Sequence, residues 1–468
     1  MRKCIAILSI IAIPVLFLSC HSGGESSKVE SRSLIDSPKT FDHWISWNLL
    51  FTTSTAADSL TIIKKFESYL SGYVTGQDAS AKLTFNLHYC PCDKFLTNLD
   101  ATLVTGSGKP VQVPPNQPNP GPSGDYTLGN NFDMSIPSSA DPNDIYQNVK
   151  QNNVKFVYSP SAELVNKTLA VIDTGLDTVM FKKAYPNTIW FGNLLWQGPK
   201  GKTLFDVYPG ENENVLMDHG IVRHGTAATA IILTQMSRIA SNRIPKIMSI
   251  RAFNDAEEGS IYTVSCALSY AIQQHADFIN ASWGYYGPKD PVLKKYLMKA
   301  SEANIRIIAA AGNTRGTHDP NLVCSSTVND ANNLELFKKD TLFYPASFAP
   351  DIPNLVSVTE MHSLSVSPAP LQLVPCFYQN FSSKYITVGA FEIKSKITCC
   401  EFSIPFLNNP IEGSSFATPV ITGKLMIGLN KIDDIKLYIN NHSQVGLTLT
   451  GLPNSYTNKG EYISFVIQ

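Results

Sequence analysis

Leu169-Ala170-Val171-Ile172-Asp173 is a short apolar run closed by a carboxylate, and Thr174-Gly175-Leu176-Asp177 follows it. A continuous apolar run bounded by turn residues is the pattern of a strand buried on both faces. Lys246-Ile247-Met248-Ser249-Ile250, Phe278-Ile279-Asn280-Ala281-Ser282, Ile305 to Ala310 and Asn354 to Thr359 have the same character. Helical patterns lie between them, over 224–237, 261–276 and 291–303. Strand–helix alternation of this kind predicts an α/β architecture, a parallel sheet covered by helices on both faces. In such sheets functional groups gather at the carboxyl ends of the strands, so the polar residues that end these runs are the informative ones.

Four segments at such positions carry candidate chemistry. Asp173 ends the first run; taken alone, an Asp there is a turn or cap residue, and the same holds for Asp177. His224 opens His224-Gly225-Thr226-Ala227-Ala228-Thr229-Ala230, whose small residues place the imidazole at a helix N-terminus with close packing behind it. His219, in Asp218-His219-Gly220, competes with it but lacks the small-residue helix. Asn313 follows Ala309-Ala310-Ala311-Gly312, so its amide lies just beyond a buried strand, as a turn residue or as a hydrogen-bond donor. Ser415 lies in Gly413-Ser414-Ser415-Phe416-Ala417-Thr418-Pro419. A serine at a helix start is commonly a cap, and the backbone N–H there can also serve a developing oxyanion. Ala417 departs from the Gly-x-Ser-x-Gly elbow of the α/β-hydrolases.

In chain order these residues run Asp, His, Asn, Ser. That order, together with Val171 to Gly175, His224-Gly225-Thr226, Ala310 to Asn313 and Gly413 to Pro419, resembles the four motifs of the subtilisin-like serine peptidases (subtilases, peptidase family S8). Ile279 to Gly284 resembles the family's substrate-binding edge, and Tyr344-Pro345-Ala346 with Asn354 to Val358 resembles the segment after the oxyanion Asn. The resemblance covers about residues 130–430 and implies a subtilisin-like three-layer fold with a mostly parallel sheet. It implies an endopeptidase in which Ser415 Oγ is the nucleophile, His224 takes and returns the proton, and Asp173 holds the imidazole. The Asn313 side-chain amide and the Ser415 N–H would form the oxyanion hole. An extended peptide would add as a strand along Ser282-Trp283-Gly284. Ala227, Ser414, Phe416 and Trp283 replace the family's more usual His, Thr, Met and Leu, and none of these changes removes a reacting group. A second reading is a catalytically silent binding lipoprotein on the same fold; the intact Asp173, His224, Asn313 and Ser415 set speaks against it. The chemistry requires no cofactor. Structural calcium is common in the family, but the sequence assigns no metal ligands.

The 468 residues carry 37 basic and 38 acidic side chains, for a net charge of -1. That balance excludes nucleic-acid binding through a basic surface. The expected partners are protein or peptide substrates and a membrane. Arg2 and Lys3 precede the apolar run 4–18, a secretory h-region too short to span a bilayer. Leu18-Ser19-Cys20, followed by small and polar residues, resembles a bacterial lipoprotein signal. It implies lipidation of Cys20 and anchorage in the cell envelope, facing periplasm or exterior, each buried methylene adding about 0.8 kcal/mol. The expected organisation is a signal peptide over 1–19, the lipidated Cys and a flexible tether over 20–35, and a small α/β unit over 36–108. A Pro-rich linker over 109–129 and the peptidase domain over 130–468 follow. The 36–108 unit shows a helical pattern over 59–73 and strands at 82–89 and 101–105, and suits either a propeptide or an accessory domain.

Of nine cysteines, Cys4 leaves with the signal and Cys20 is assigned to lipid, so an odd number remains and at least one is a free thiol. Cys266, inside a helical pattern, reads as a small buried hydrophobe. Cys324 and Cys376 fall in the segments 314–343 and 361–379, which read as surface insertions, and Cys399 and Cys400 in 391–410, which departs from the glycine-rich run usual in the family it resembles. The expectation is that Cys324 and Cys376 tie the insertions to the region of Cys399 and Cys400. Cys90-Pro91-Cys92 is a weak metal pattern, since no second ligand pair accompanies it.

Overall fold

The structure, a computed structural model, describes residues 39–41, 44–53, 61, 63–65, 68, 82–104, 126–136, 167–177, 218, 223–236, 246–313, 342–363, 373–375, 379–382, 384–393, 413–426 and 462–466. The signal and tether regions, Cys20, most of the Pro-rich linker, and Cys324, Cys376, Cys399 and Cys400 lie outside these residues. Among the described residues no helix is long and apolar enough to cross a membrane.

The N-terminal unit is an antiparallel sheet. Strands β1 (Lys39–Phe41), β2 (Trp44–Thr53), β3 (Lys82–Cys90), β4 (Asp93–Val104) and β5 (Tyr126–Asn130) pair in the order β1-β2-β4-β3, with β5 on β2. The described residues of the 59–73 helical pattern, Thr61, Ile63 to Lys65 and Ser68, are helical. Two features differ from the sequence reading. β4 begins at Asp93, well before the predicted strand at 101, because the two-residue turn Pro91-Cys92 folds it straight back on β3. β5 also lies inside the stretch assigned to the linker, so the chain returns to this sheet by Tyr126.

Next come β6 (Asp133–Ser135), β7 (Thr168–Asp173), α1 (His224–Met236), β8 (Lys246–Arg251), β9 (Glu258–Ser260) and α2 (Ile261–Gln273). They are followed by β10 (Phe278–Ala281), β11 (Tyr285–Tyr286), α3 (Pro291–Glu302), β12 (Arg306–Ala310), β13 (Phe343–Tyr344) and β14 (Leu355–Ser363). The last elements are β15 (Leu373–Pro375), β16 (Val388–Ile393), α4 (Ser414–Met426) and β17 (Tyr462–Val466). The main sheet runs β17-β16-β14-β12-β10-β7-β8, every pair parallel, with β15 returning antiparallel on β14. β14 and β15 thus build part of the 361–379 segment into the sheet rather than leaving it as a surface insertion.

Alternation along the strands separates the two helical layers. Ile279 and Ala281 of β10, with Ile307 and Ala309 of β12, join the apolar cluster that holds α2 and α3. Asn280 points the other way and bonds Thr422 of α4, which packs beside α1. The α2–α3 layer also receives the N-terminal sheet: Leu50, Cys90 and Leu96 belong to the same continuous core as Leu268, Leu293 and Leu297. The joint is covalent as well, because Cys90 is disulfide-bonded to Cys266 of α2. Cys266 is therefore a cross-link between units, not the inert apolar residue that its helical setting suggested.

The segment after β5 caps α2. The N–H of Ile261 donates to the Phe132 carbonyl at 3.1 Å, and that of Tyr262 to Asn131 Oδ1 at 2.8 Å. Together with the Ser260–Thr263 capping box, they satisfy the first orphan donors of the helix. Asn131→Ala is expected to destabilise the protein by about 0.5–2 kcal/mol, as loss of a helix cap does; denaturant unfolding would read it.

Candidate active site

Asp173 is the last residue of β7 and is wholly buried. Its carboxylate accepts the Thr174 N–H at 2.8 Å and faces His224 Nδ1, which lies 2.9 and 3.1 Å from its two oxygens. Nδ1 is therefore the protonated nitrogen, and Nε2 is turned away from the carboxylate. His224 is the first residue of α1, and Gly225 makes its position possible. A Cβ on Gly225 would collide with the Gly175 carbonyl oxygen, so only glycine lets the helix start rest on the turn after Asp173. Burial presses the His224 pKa down; the charge and hydrogen bond of Asp173, with Glu257 and Asp218 beyond, outweigh it and hold it above the usual value.

Behind this pair lies a carboxylate that sequence reasoning passed over. Asp218 Oδ2 accepts both the N–H and the hydroxyl of Thr226, at 2.9 and 2.7 Å, and so ties down the first turn of α1. Thr226 Oγ1 in turn accepts the Asp177 N–H at 2.9 Å. Burial, with the nearby Asp173 charge, pushes Asp218 up to about 7 against the hydrogen bonds from Thr226. Its signal in the sequence was only an Asp six residues before His224.

Ser415 lies in the first turn of α4, buried, with the ring of its neighbour Phe416 4.6 Å from that of His224. Gly413 enters the helix at φ +126°, a conformation that favours glycine, and its N–H donates to Glu360 at 2.7 Å. Asn313 Oδ1 accepts the N–H and the hydroxyl of Ser414, each at 3.0 Å, which fixes the carboxamide and leaves Nδ2 as its donor end. Pro419 has no N–H, so the Ser415 carbonyl lacks its normal partner within the helix. Ser282 replaces it: Ser282 Oγ donates to that carbonyl at 2.7 Å and accepts from Asn280 Nδ2 at 2.9 Å. Asn280 Oδ1 accepts from Thr422, two turns further along α4 than Ser415. Glu360 was passed over in the sequence; its signal was an acid directly after the apolar run Asn354 to Thr359, a place where it must find donors.

The structure therefore gathers Asp173 with His224, and Asn313 and Ser282 with the start of α4. It does not join Ser415 to His224 by a hydrogen bond: Ser415 Oγ and His224 Nε2 are both buried without a hydrogen-bond partner. Contacts of this kind often tighten only when substrate is bound. Trp283 lies in the middle of the segment expected to pair with a peptide. Its side chain is wholly buried in the core beside Phe253 and is not open to a peptide. Gly284 has its backbone already paired. Its N–H donates to the Ser135 carbonyl at 3.0 Å, and its carbonyl accepts the Ser135 N–H at 3.1 Å. The opposite side of that segment, β6, pairs with β9. The edge expected to take a peptide thus holds the chain's own residues, with Phe132, Met134 and Ile136 buried and Asp133 and Ser135 exposed. Among the described residues the one group of three metal-ligand types is Cys90, Cys92 and Cys266.

A parallel sheet flanked by two helical layers, with Asp at the end of one strand, His at one helix start and Ser at another, defines the architecture of the subtilisin-type serine peptidases. The chain belongs to that group: the profile of the subtilase family (peptidase S8) matches residues 166–443. No curated protein matches the sequence. Among solved structures the chain is similar to fervidolysin from Fervidobacterium pennivorans, a keratinolytic enzyme related to subtilisin, at 15% identity and a TM-score of 0.48. That likeness covers 93% of this chain and 62% of fervidolysin, so the chain spans less than two thirds of that relative's length. It is also similar to the epidermin leader peptide processing serine protease of Staphylococcus aureus, at 16% identity and a TM-score of 0.46, over 90% of this chain and 96% of that one.

Two outcomes follow from the geometry. Ser282→Ala leaves the buried Ser415 carbonyl without a donor and is expected to cost about 1–3 kcal/mol in denaturant unfolding. Asp218 has a pKa raised in the fold, so its contribution to stability is complete below about pH 4 and is lost as pH rises through about 7. His224, also raised, acts in the same direction. Thermal unfolding of Asp218→Asn should show a shallower fall between those pH values than the parent, while the loss linked to His224, which sets in only above about pH 6.5, remains.

Proposed function

We propose that the chain is a membrane-anchored serine endopeptidase that hydrolyses peptide bonds of protein or peptide substrates. The buried Asp173–His224 hydrogen bond, set against the helix whose first turn carries Ser415, carries this reading. Ser415 Oγ attacks the scissile carbonyl while His224 Nε2 accepts its proton, and the imidazolium that forms is stabilised by Asp173. The negative charge moves to the carbonyl oxygen, where Asn313 Nδ2 and the Ser415 N–H receive it. His224 then protonates the leaving amine, and water attacks the acyl-enzyme by the same route. No metal takes part in these steps. Lipid on Cys20 anchors the protein in the bacterial cell envelope, facing periplasm or exterior; the basic-apolar-Cys pattern of the N-terminus supports this.

The N-terminal unit serves this enzyme as a propeptide-like occupant rather than a remote accessory. The pairing of Ser135 with Gly284 supports that reading, since strand addition at this edge leaves no room for a second peptide. Fluorophosphonate labelling, on the protein as purified and after limited proteolysis between residues 137 and 166, tests the chemistry. A single adduct on Ser415 that disappears in Ser415→Ala is expected, and no adduct in either preparation, nor in the cut protein after its disulfide is reduced, would sink the reading. Asn313→Ala should lower kcat by about 10²–10³, the factor found when the equivalent donor is removed from a subtilisin.

A further inference from the structure

Away from the candidate active site, three sulfurs meet where the N-terminal sheet joins α2. The turn Cys90-Pro91-Cys92 connects β3 to β4, and Cys266 lies within α2. Cys90 and Cys266 are bonded and buried; Cys92 is a free thiol, partly exposed. Their sulfurs all lie within 4.8 Å of one another. The arrangement has a direction. The existing bond crosses from the N-terminal sheet to the peptidase body, whereas a bond between Cys90 and Cys92 would stay within the sheet. The same corner is held by Tyr296, whose hydroxyl donates to Asp93 at 2.6 Å, and by Gln273, which donates to the Cys92 carbonyl.

We propose that Cys90, Cys92 and Cys266 form a thiol–disulfide exchange centre that latches the N-terminal sheet, and the segment 131–136 behind it, onto the peptidase body. The Cys92 thiolate attacks Cys90 Sγ, a Cys90–Cys92 bond forms, and the Cys90–Cys266 bond breaks. Cys266 leaves as a thiolate and takes up the proton that Cys92 gave up, so no electrons enter or leave. A dithiol arriving from solution can then reduce Cys90–Cys92, supplying two electrons and two protons and becoming a disulfide itself. Exchange needs the thiolate. Burial, reinforced by Asp93, pushes the Cys92 thiol up to about 12, and Tyr262 and Tyr270 also face it, so the latch stays closed at rest. The bond matters because it is independent of the backbone. A cut between residues 137 and 166 severs the main chain but leaves the sheet fastened to α2. The exchange chemistry stands by itself; its consequence for Ser415 rests on the peptidase reading.

The test uses the full-length protein carrying a site-specific protease sequence inserted between 137 and 166, cut beforehand. It is incubated with dithiothreitol, quenched over time with N-ethylmaleimide, and mapped by mass spectrometry without further reduction. The peptide pair Cys90–Cys92 with alkylated Cys266 should appear before full reduction. In Cys92→Ser, which keeps the disulfide, the Cys90–Cys266 bond should open about tenfold more slowly, a barrier increase of ~1.4 kcal/mol. Fluorophosphonate labelling of Ser415 should rise as that bond opens. Equal opening rates in the two proteins, or labelling of Ser415 that is present and equal before and after opening, would overturn the proposal. If Ser415 is labelled in no state, including Cys90→Ala/Cys266→Ala, while Cys92 still governs the opening rate, the peptidase reading fails and the exchange centre stands.

Discussion

A carboxylate placed at the end of a central strand, out of reach of water, has to be answered by donors, and the architecture around Asp173 follows from that constraint. One donor is the next backbone N–H, and the other is an imidazole brought in at the start of a helix. To deliver that imidazole, α1 must begin almost on top of the turn after β7, which excludes any side chain at residue 225. The helix start then needs an anchor of its own, and Asp218 supplies it through Thr226. Each layer of support answers a problem that the previous one created.

The start of α4 obeys the same logic with a neutral group. Proline in the second turn removes a donor, the carbonyl of Ser415 is left exposed to that loss, and a hydroxyl from the end of β10 makes it good. The outcome is a serine whose backbone is gripped from outside its own helix. Because Asn280, Ser282 and Thr422 form one connected set, β10 and α4 move together or not at all. Asn313, tied to Ser414, brings the end of β12 to the same place. Rigid elements therefore hold the groups of the site, the condition under which a small misplacement is avoided without help from substrate.

Much of this was legible beforehand because its signals are local. The apolar runs of β7, β8, β10 and β12 and the periodic helices of α1, α2 and α3 were found within a few residues of their observed ends. Asp173, His224, Asn313 and Ser415 stood out because each is a polar residue at the end of an apolar or small-residue stretch. What escaped depends on distant partners. The pairing of Cys90 with Cys266 joins residues 176 apart, and nothing in a helical pattern announces a cross-link. Trp283 stands in the segment expected to pair with a peptide, yet the core closes over its side chain. β5 was hidden because a strand of five residues after a run of prolines has no period long enough to detect. The occupation of Gly284 by Ser135 was equally invisible, since it is a backbone contact between segments with no side-chain pattern in common.

The sulfur cluster has a consequence for the way the molecule is made. Synthesis delivers Cys90 and Cys92 side by side long before the ribosome reaches Cys266. During that interval the nearest partner for Cys90 is the wrong one, and proximity alone selects it. The native bond becomes preferred only after α2 exists and Leu50 and Leu96 have found it as a surface to pack on. Cys90–Cys266 is thus a bond that the growing chain cannot choose and the finished chain can, so its presence is a chemical record that both halves of the molecule have folded and met.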